Sequence, residues 1–273
     1  MRFLGTEVGN LSRKHRRIAE YLMQNRRNIL LLTVEELAEE IGVSTATISR
    51  FARAVGYATL RDLRIALHDE TTSSPSRKLQ DRLNRLESAN PIAAILRFER
   101  DNLSRTEERL TQSAFDRAVE FLDATQRLFV WADGPSVALI ELLRFRLNRF
   151  GYSVFGIAAS GNEMAEGLVN ITTGDVVLVF SFLRANPGAL HVVEFATRRG
   201  AHTVLCTDLL VAESVDRADT VLHVYRGAMS EFHSLVAPVA IVDALVLGIA
   251  RRRPQIRTSQ LAALEEIRSE LPR

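Results

Sequence analysis

The sequence predicts two domains of different class: an all-helical N-terminal domain and a C-terminal domain with a parallel β-sheet. Up to about residue 68, apolar residues keep helical spacing and no β-rich run appears. From Arg127 onward, short apolar runs rich in β-branched residues alternate with helical stretches. Continuous apolar strands separated by helices are typical of a parallel sheet that is covered on both faces.

Composition and charge support a globular protein with a basic N-terminal part. Of the 273 residues, 47% are hydrophobic and 25% are charged, which is typical of globular chains. Residues 1–80 carry 13 Lys/Arg and 9 Asp/Glu, whereas the remainder carries 22 and 24. Excess positive charge at one end favours contact with nucleic acid there.

The chain has features of a cytoplasmic protein. Cys206 is the only cysteine, so no intrachain disulfide can form, which fits a reducing compartment. The first 17 residues contain no apolar signal core. The longest apolar run, 235–250, is interrupted by Pro238 and Asp243 and is too short to span a bilayer comfortably. We therefore expect no membrane partner.

A polar segment separates the two domains. Residues 71–76 read TTSSPS, and six small or polar residues that include a proline do not hold a helix together. A polar helical stretch follows, and Pro91 stands where another helix can begin. The predicted units are an N-terminal domain at 1–76, linker helices at 77–107, an α/β domain at 108–253 and a C-terminal helical tail at 254–273.

The N-terminal domain contains two short helices joined by a glycine turn. Thr33 and Glu36 form a capping box that begins the first helix. Gly42 permits the tight turn, Ser44 can cap the second helix, and Thr59 can cap a further one. The expected inner face of the second helix consists of Ile48, Phe51, Ala52 and Val55.

The expected outer face of the second helix favours DNA binding over a plain α-helical hairpin. It carries hydroxyl and cationic side chains and no acid before Asp62. These residues are Ser44 at the start and then Thr45, Thr47, Ser49, Arg50 and Arg53. Arginine reads guanine edges, and Ser and Thr bond bases or phosphates, so we predict that this helix binds double-stranded DNA. The basic residues at 13–17 either add phosphate contacts or form a solvated face.

The string TVEELAEEIGVSTATISRFARAVGY, around Leu32–Val55, resembles the helix-turn-helix of the RpiR type of bacterial regulators. That family joins such a domain to a sugar isomerase (SIS) domain, which usually recognises phosphosugars. The resemblance covers nearly the whole chain and is more specific in the N-terminal domain. It implies a transcription regulator with an all-α helix-turn-helix domain followed by an SIS-like α/β/α sandwich with a five-stranded parallel sheet.

The resemblance implies an effector site at the carboxyl ends of the strands. After the first strand, Gly134 and Ser136 match the G-x-G-x-S pattern of SIS domains, and Ala132 replaces its first glycine. Ser136 can cap the following helix, whose N-terminus attracts anions. The alternative is an ordinary strand-to-helix turn.

The loop after the third strand departs from the family's S-x-S-G-x-T segment. Ser181 matches, and the other positions are replaced by Leu183, Arg184 and Asn186. Arg184 either pairs with a phosphate or carboxylate through its planar fork or lies on the surface. Thr207 and Asp208, after the fourth strand, can line the same pocket. We expect a small anionic effector that does not bind as a standard phosphosugar.

The sequence predicts no catalytic residue, metal site or cofactor. It has no G-x-S-x-G elbow, metal-spaced His/Cys cluster or P-loop, and Glu231 and His233 are typical of caps or surface residues. We therefore expect a non-enzymatic regulator that is a homodimer or homotetramer, with 235–250 and 92–103 as candidate contacts. The alternatives are a phosphosugar isomerase with a helical appendage and a regulator whose SIS-like domain only dimerises.

Overall fold

The computed structural model describes residues 12–24, 32–55, 57, 59–64, 90–183, 185–209, 212–227 and 234–271. The predicted linker at 71–76 lies outside these residues, as do Glu231 and His233. The N-terminal and C-terminal parts each have a buried apolar core of their own.

The N-terminal part is built from short helices with the predicted caps. Within the described residues they include α1 (Arg13–Gln24), α2 (Val34–Ile41) and α3 (Thr45–Ala54). Thr33 Oγ1 accepts from the Glu36 N–H at 3.1 Å, and the Thr33 N–H donates to Glu36 Oε2 at 2.6 Å. Gly42 ends α2 with a left-handed φ of 71°, and Ser44 Oγ caps α3 by accepting from the Thr47 N–H at 3.3 Å. The predicted helix-turn-helix is therefore confirmed.

The core of this part lies where the inner face of α3 meets its neighbours. The predicted inner-face residues are all buried, namely Ile48, Phe51, Ala52 and Val55. Ile18 and Leu22 of α1 and Leu37 of α2 complete the same cluster. Helices this short are marginal in isolation, so burial of these side chains, at about 1.5–3 kcal/mol each, stabilises them.

The C-terminal part contains a five-stranded, all-parallel sheet in the order β2-β1-β3-β4-β5. Its strands are β1 (Arg127–Ala132), β2 (Ser153–Ile157), β3 (Val176–Phe180), β4 (His202–Thr207) and β5 (Thr220–His223). The predicted sheet is confirmed. The apolar run at 220–225 predicts a strand that extends to Tyr225, but β5 ends two residues earlier. Residues 224–226 follow the end of β5 and lie at the carboxyl edge of the sheet.

Helices cover both faces of the sheet and give a three-layer sandwich. They are α4 (Pro91–Arg109), α5 (Gln112–Ala124), α6 (Ala138–Leu147), α7 (Asn162–Val169), α8 (Pro187–Arg198), α9 (Glu213–Arg217), α10 (Val236–Arg252) and α11 (Pro254–Glu270). One layer buries Val130 and Leu178 against α5, α6 and α10. The other buries Trp131 and Val179 against α7 and α8.

Two helices differ from the sequence expectation. α5 has no counterpart among the predicted helices, although its buried Ala118 and Leu122 have helical spacing and Thr111 caps its start. α4 begins at Pro91 as predicted and continues to Arg109, beyond the predicted boundary at 107, where it packs on α10. Within the described residues, no helix combines the length and apolar character needed to cross a membrane.

The C-terminal helix α11 is held to the sheet domain by a buried arginine. Arg257 donates to the Phe150 carbonyl at 2.8 Å and to the Tyr152 hydroxyl at 3.1 Å. Its guanidinium also lies 3.5 Å from the Asp123 carboxylate, which Arg252 and Arg253 approach at 3.3 and 3.1 Å. The predicted helical tail therefore packs on the body of the protein.

Candidate functional site

The exposed face of α3 carries most of the predicted DNA-binding residues. Thr45, Ser49, Arg50 and Arg53 are exposed, and Ser44 is exposed at the cap. Arg50 Nε donates to the Ala46 carbonyl at 3.2 Å, which lays this side chain along the helix surface. Within the described part of the chain, neither Arg50 nor Arg53 forms an ion pair. Their charges therefore remain available to an external anion.

The prediction for Thr47 was wrong, because Thr47 does not lie on the outer face. It is only 8% exposed, and its Oγ1 lies at hydrogen-bond distance, 2.8 Å, from Ser44 Oγ. Positions 47 and 51 are four apart and lie on one side of a helix, so Thr47 follows buried Phe51 into the interior. Its hydroxyl belongs to the helix cap.

The basic face of α1 adjoins the helix-turn-helix. A side chain added at Gly42 would lie 3.2 Å from the Arg17 guanidinium, so Arg17 reaches the turn between α2 and α3. The His15 ring packs edge-on against Phe51, with ring centroids 5.6 Å apart. Burial, followed by the charge of Arg50, lowers the pKa of His15. The cations of α1 and α3 therefore belong to one surface.

The two predicted effector loops meet at the carboxyl edge of the sheet. β1 and β3 are adjacent although β2 separates them in sequence, and such a topological switch is where ligands bind in open α/β sheets. Asn186 Nδ2 donates to Asp133 Oδ2 at 2.7 Å and joins the two loops. Asn186 Oδ1 also caps α8 by accepting from the Gly188 N–H at 2.8 Å.

The glycine and serine of the first loop form a tight turn. Gly134 has a φ of 53° and begins a 3₁₀ turn that ends at Val137. Ser136 lies inside this turn and is buried, and neither the turn nor α6 begins with a side-chain cap. The predicted capping role of Ser136 was therefore wrong.

The residues predicted on β3 and β4 are buried at the same edge. Ser181 is 1% exposed, and its hydroxyl has no hydrogen-bond partner among the described residues. Thr207 Oγ1 accepts from the Leu209 N–H at 3.1 Å. Arg184 lies outside the described residues, so its role stays a prediction.

Sequence reasoning missed a buried arginine at this edge. Arg226 is 4% exposed, donates through Nε to the Ser234 carbonyl at 2.8 Å and lies over the Phe182 ring. Its Nη1 is 3.6 Å from Asp208 Oδ2, and Asp208 Oδ1 accepts from the Leu183 N–H at 2.7 Å. Burial raises the pKa of Asp208, against the opposing effect of Arg226, and burial lowers the pKa of Arg226. The sequence feature that could have indicated this buried cation is the position of Arg226 directly after a predominantly apolar run.

The end of α4 contacts the chain beside Arg226. Thr106 Oγ1 accepts from the Tyr225 N–H at 2.9 Å. The guanidinium groups of Arg105 and Arg109 lie 4.9 and 4.6 Å from the centre of the Tyr225 ring. Such cation–π contacts and the backbone hydrogen bond fasten α4 to the carboxyl edge.

Comparison with known proteins agrees with this architecture. The helix-turn-helix domain of the rpiR family matches residues 3–74, and the SIS domain matches residues 120–248. An HTH-type transcriptional regulator from Providencia stuartii is 24% identical over 208 residues, covering 76% of this chain and 73% of its own. The HTH-type transcriptional regulator HexR from Pseudomonas aeruginosa is 21% identical over 272 residues, covering 91% and 88%.

A solved structure extends the likeness to the whole fold. The Vibrio vulnificus NanR protein, complexed with ManNAc-6P, superposes with a TM-score of 0.60 at 20% identity and covers 97% of this chain and 96% of its own. The fold, the exposed face of α3 and these matches define a DNA-binding transcription regulator with an SIS-type α/β domain. The chain carries an N-terminal helix-turn-helix domain of the rpiR family and a C-terminal SIS domain.

Proposed function

We propose that this regulator binds operator DNA through α3 and responds to a small anionic metabolite at the carboxyl edge of its SIS domain, without enzymatic activity. The observation that carries the DNA-binding part is the exposure of Arg50 and Arg53 on the capped helix α3, where neither forms an ion pair with a described residue. With its side chains, an α-helix such as α3 is about 10–12 Å in diameter, which suits a major groove about 12 Å wide.

The effector part rests on the chemistry of the carboxyl edge. Buried Arg226 supplies a cation, and Ser181 supplies a hydroxyl without a partner among the described residues. NanR, which shares the fold, is complexed with a sugar phosphate. The hydroxyl-rich loop typical of phosphosugar sites is largely replaced here, which favours a sugar acid or a differently posed phosphate.

We also propose a homodimer or homotetramer, because one helix-turn-helix makes few base contacts and two half-sites about 34–36 Å apart strengthen binding. Apolar side chains remain exposed on the predicted contact helices. Ile92 and Leu96 of α4 are 72% and 64% exposed, and Leu247 of α10 is 69% exposed. The molecular mass measured by light scattering at micromolar concentration should exceed the 30.5 kDa of one chain. A monomer would contradict this proposal.

The test uses an operator obtained by selection and fluorescence anisotropy with the full chain. A panel of sugar acids and sugar phosphates is screened for thermal stabilisation, and each hit is then titrated into the protein–DNA complex. We expect at least one hit to change operator affinity. Arg226→Gln should abolish that response while retaining operator binding. A chain that binds no operator, or one whose operator affinity no hit changes, would refute the corresponding half of the proposal.

A further inference from the structure

The carboxyl edge already holds an anion that belongs to the protein itself. Both oxygens of Asp208 are engaged, Oδ1 with the Leu183 N–H at 2.7 Å and Oδ2 with Arg226 Nη1 at 3.6 Å. A backbone N–H and a guanidinium that converge on one carboxylate are the groups with which proteins bind small anions. The two charged side chains are largely withdrawn from solvent, with 14% of Asp208 and 5% of Arg226 exposed.

The loop after β3 is bent around this carboxylate. Among the described residues, Leu183 is the non-glycine residue with a left-handed backbone, at a φ of 76°. A side chain with a Cβ atom disfavours this conformation. Here the bend directs the Leu183 N–H to Asp208, so the loop keeps an unfavourable backbone while it makes an anion contact.

We propose that Asp208 occupies the position of the effector's acidic group and serves there as the counter-ion of Arg226. The effector is a compact carboxylate that replaces Asp208 as the partner of the Leu183 N–H and of Arg226. This inference rests on the proposed effector role of the carboxyl edge and names the class of its ligand. The Leu183 N–H and Arg226 contact the two oxygens of the Asp208 carboxylate, so the same two donors suit the carboxylate of a ligand. A phosphate dianion would bring more negative charge to an edge where Asp133 also lies near Arg226. The buried hydroxyl of Ser181, which has no partner among the described residues, is available to the rest of the ligand.

The exchange takes up a proton. Among the described residues, the other titratable and charged groups around the pair are Arg109, Cys206, Asp133 and His223. Arg226 opposes the rise that burial imposes on the pKa of Asp208. An entering carboxylate neutralises Arg226 and removes that opposition, so the pKa of Asp208 rises further, which favours its protonated form. The ligand brings a negative charge, and the binding of a proton neutralises the charge of Asp208. Because ligand binding is coupled to proton uptake, the affinity for a carboxylate increases as the pH falls.

Asp208→Asn tests the exchange because it removes the competing charge and leaves a neutral amide, which holds the Leu183 N–H less strongly than a carboxylate does. Acetate and inorganic phosphate are titrated into the full chain at matched ionic strength, with thermal stabilisation as the readout. We expect acetate to bind Asp208→Asn roughly tenfold or more tightly than the wild type, and Arg226→Gln in the same background should remove the gain. Equal acetate affinity in Asp208→Asn and the wild type would overturn the exchange. A larger gain for phosphate than for acetate would overturn the assignment to a carboxylate.

A second measurement needs no variant at position 208. The acetate affinity of the wild type is compared at about pH 5.5 and about pH 7.5, with Arg226→Gln as the control. We expect tighter binding at the lower pH in the wild type and no such gain in Arg226→Gln. An affinity that is the same at both values contradicts the proposal. Operator binding is measured separately, so failure of this exchange and failure of the proposed function give different results.

Discussion

Arg50 and Arg53 should contribute to DNA binding in different ways. They are three residues apart, which separates them by about 4.5 Å along the helix axis. Arg50 lies nearer the start of α3, where side chains reach deepest into the major groove, whereas Arg53 lies in its last turn. We expect Arg50→Ala to lose about 1–3 kcal/mol at the selected operator, or about 5- to 150-fold in affinity. Arg53→Ala should weaken binding to all sequences alike and reduce the salt slope by about 0.9.

Neither change should unfold the domain. Both side chains are exposed and have no ion-pair partner among the residues described, so the free energy of unfolding should change by less than about 0.5 kcal/mol. The assay is an anisotropy titration of operator and random duplexes at several salt concentrations, with urea denaturation as the stability control. Thr47→Val is a matched control, since it alters a buried hydroxyl on the same helix. A double variant with wild-type affinity and salt slope would refute this assignment of α3.

Three further predictions concern stability and reactivity. Arg257→Ala should cost about 1–3 kcal/mol in urea denaturation, because it leaves the Phe150 carbonyl without its buried donor, while Arg252 and Arg253 stay on the Asp123 carboxylate. Arg252→Ala, on the same carboxylate but half exposed, should cost at most about 1 kcal/mol. Equal losses would contradict this difference. Gly42→Ala should cost about 1–2 kcal/mol, since a φ of 71° strains any residue with a Cβ atom, and an unchanged midpoint would disprove it. Cys206 is buried and burial raises the pKa of its thiol, so iodoacetamide should modify it only in unfolded protein, as mass spectrometry would detect.

The strands and the caps of α2 and α3 were predictable because local sequence determines them. A strand that is buried on both faces must be apolar throughout, and β3, whose five residues are all buried, coincides with the apolar run at 176–180. Thr47 was misplaced because it lies at the border between the two faces of α3, where residue type does not distinguish a cap from a DNA contact. The pairing of Arg226 with Asp208 depends on strand adjacency, which joins residues far apart in sequence. No local pattern contains that information.

The attachment of Tyr225 to α4 has a consequence for how a signal leaves the ligand site. Arg226 and Tyr225 share a peptide bond, and the Tyr225 N–H is held by Thr106. A shift of the Arg226 backbone therefore strains that hydrogen bond and the contacts of Arg105 and Arg109 with the Tyr225 ring, unless the end of α4 moves with it. The Thr106 hydroxyl then contributes to the linkage between the two ligands without touching either of them. Thr106→Val should yield a protein that binds effector and operator but in which the influence of each ligand on the affinity of the other is reduced.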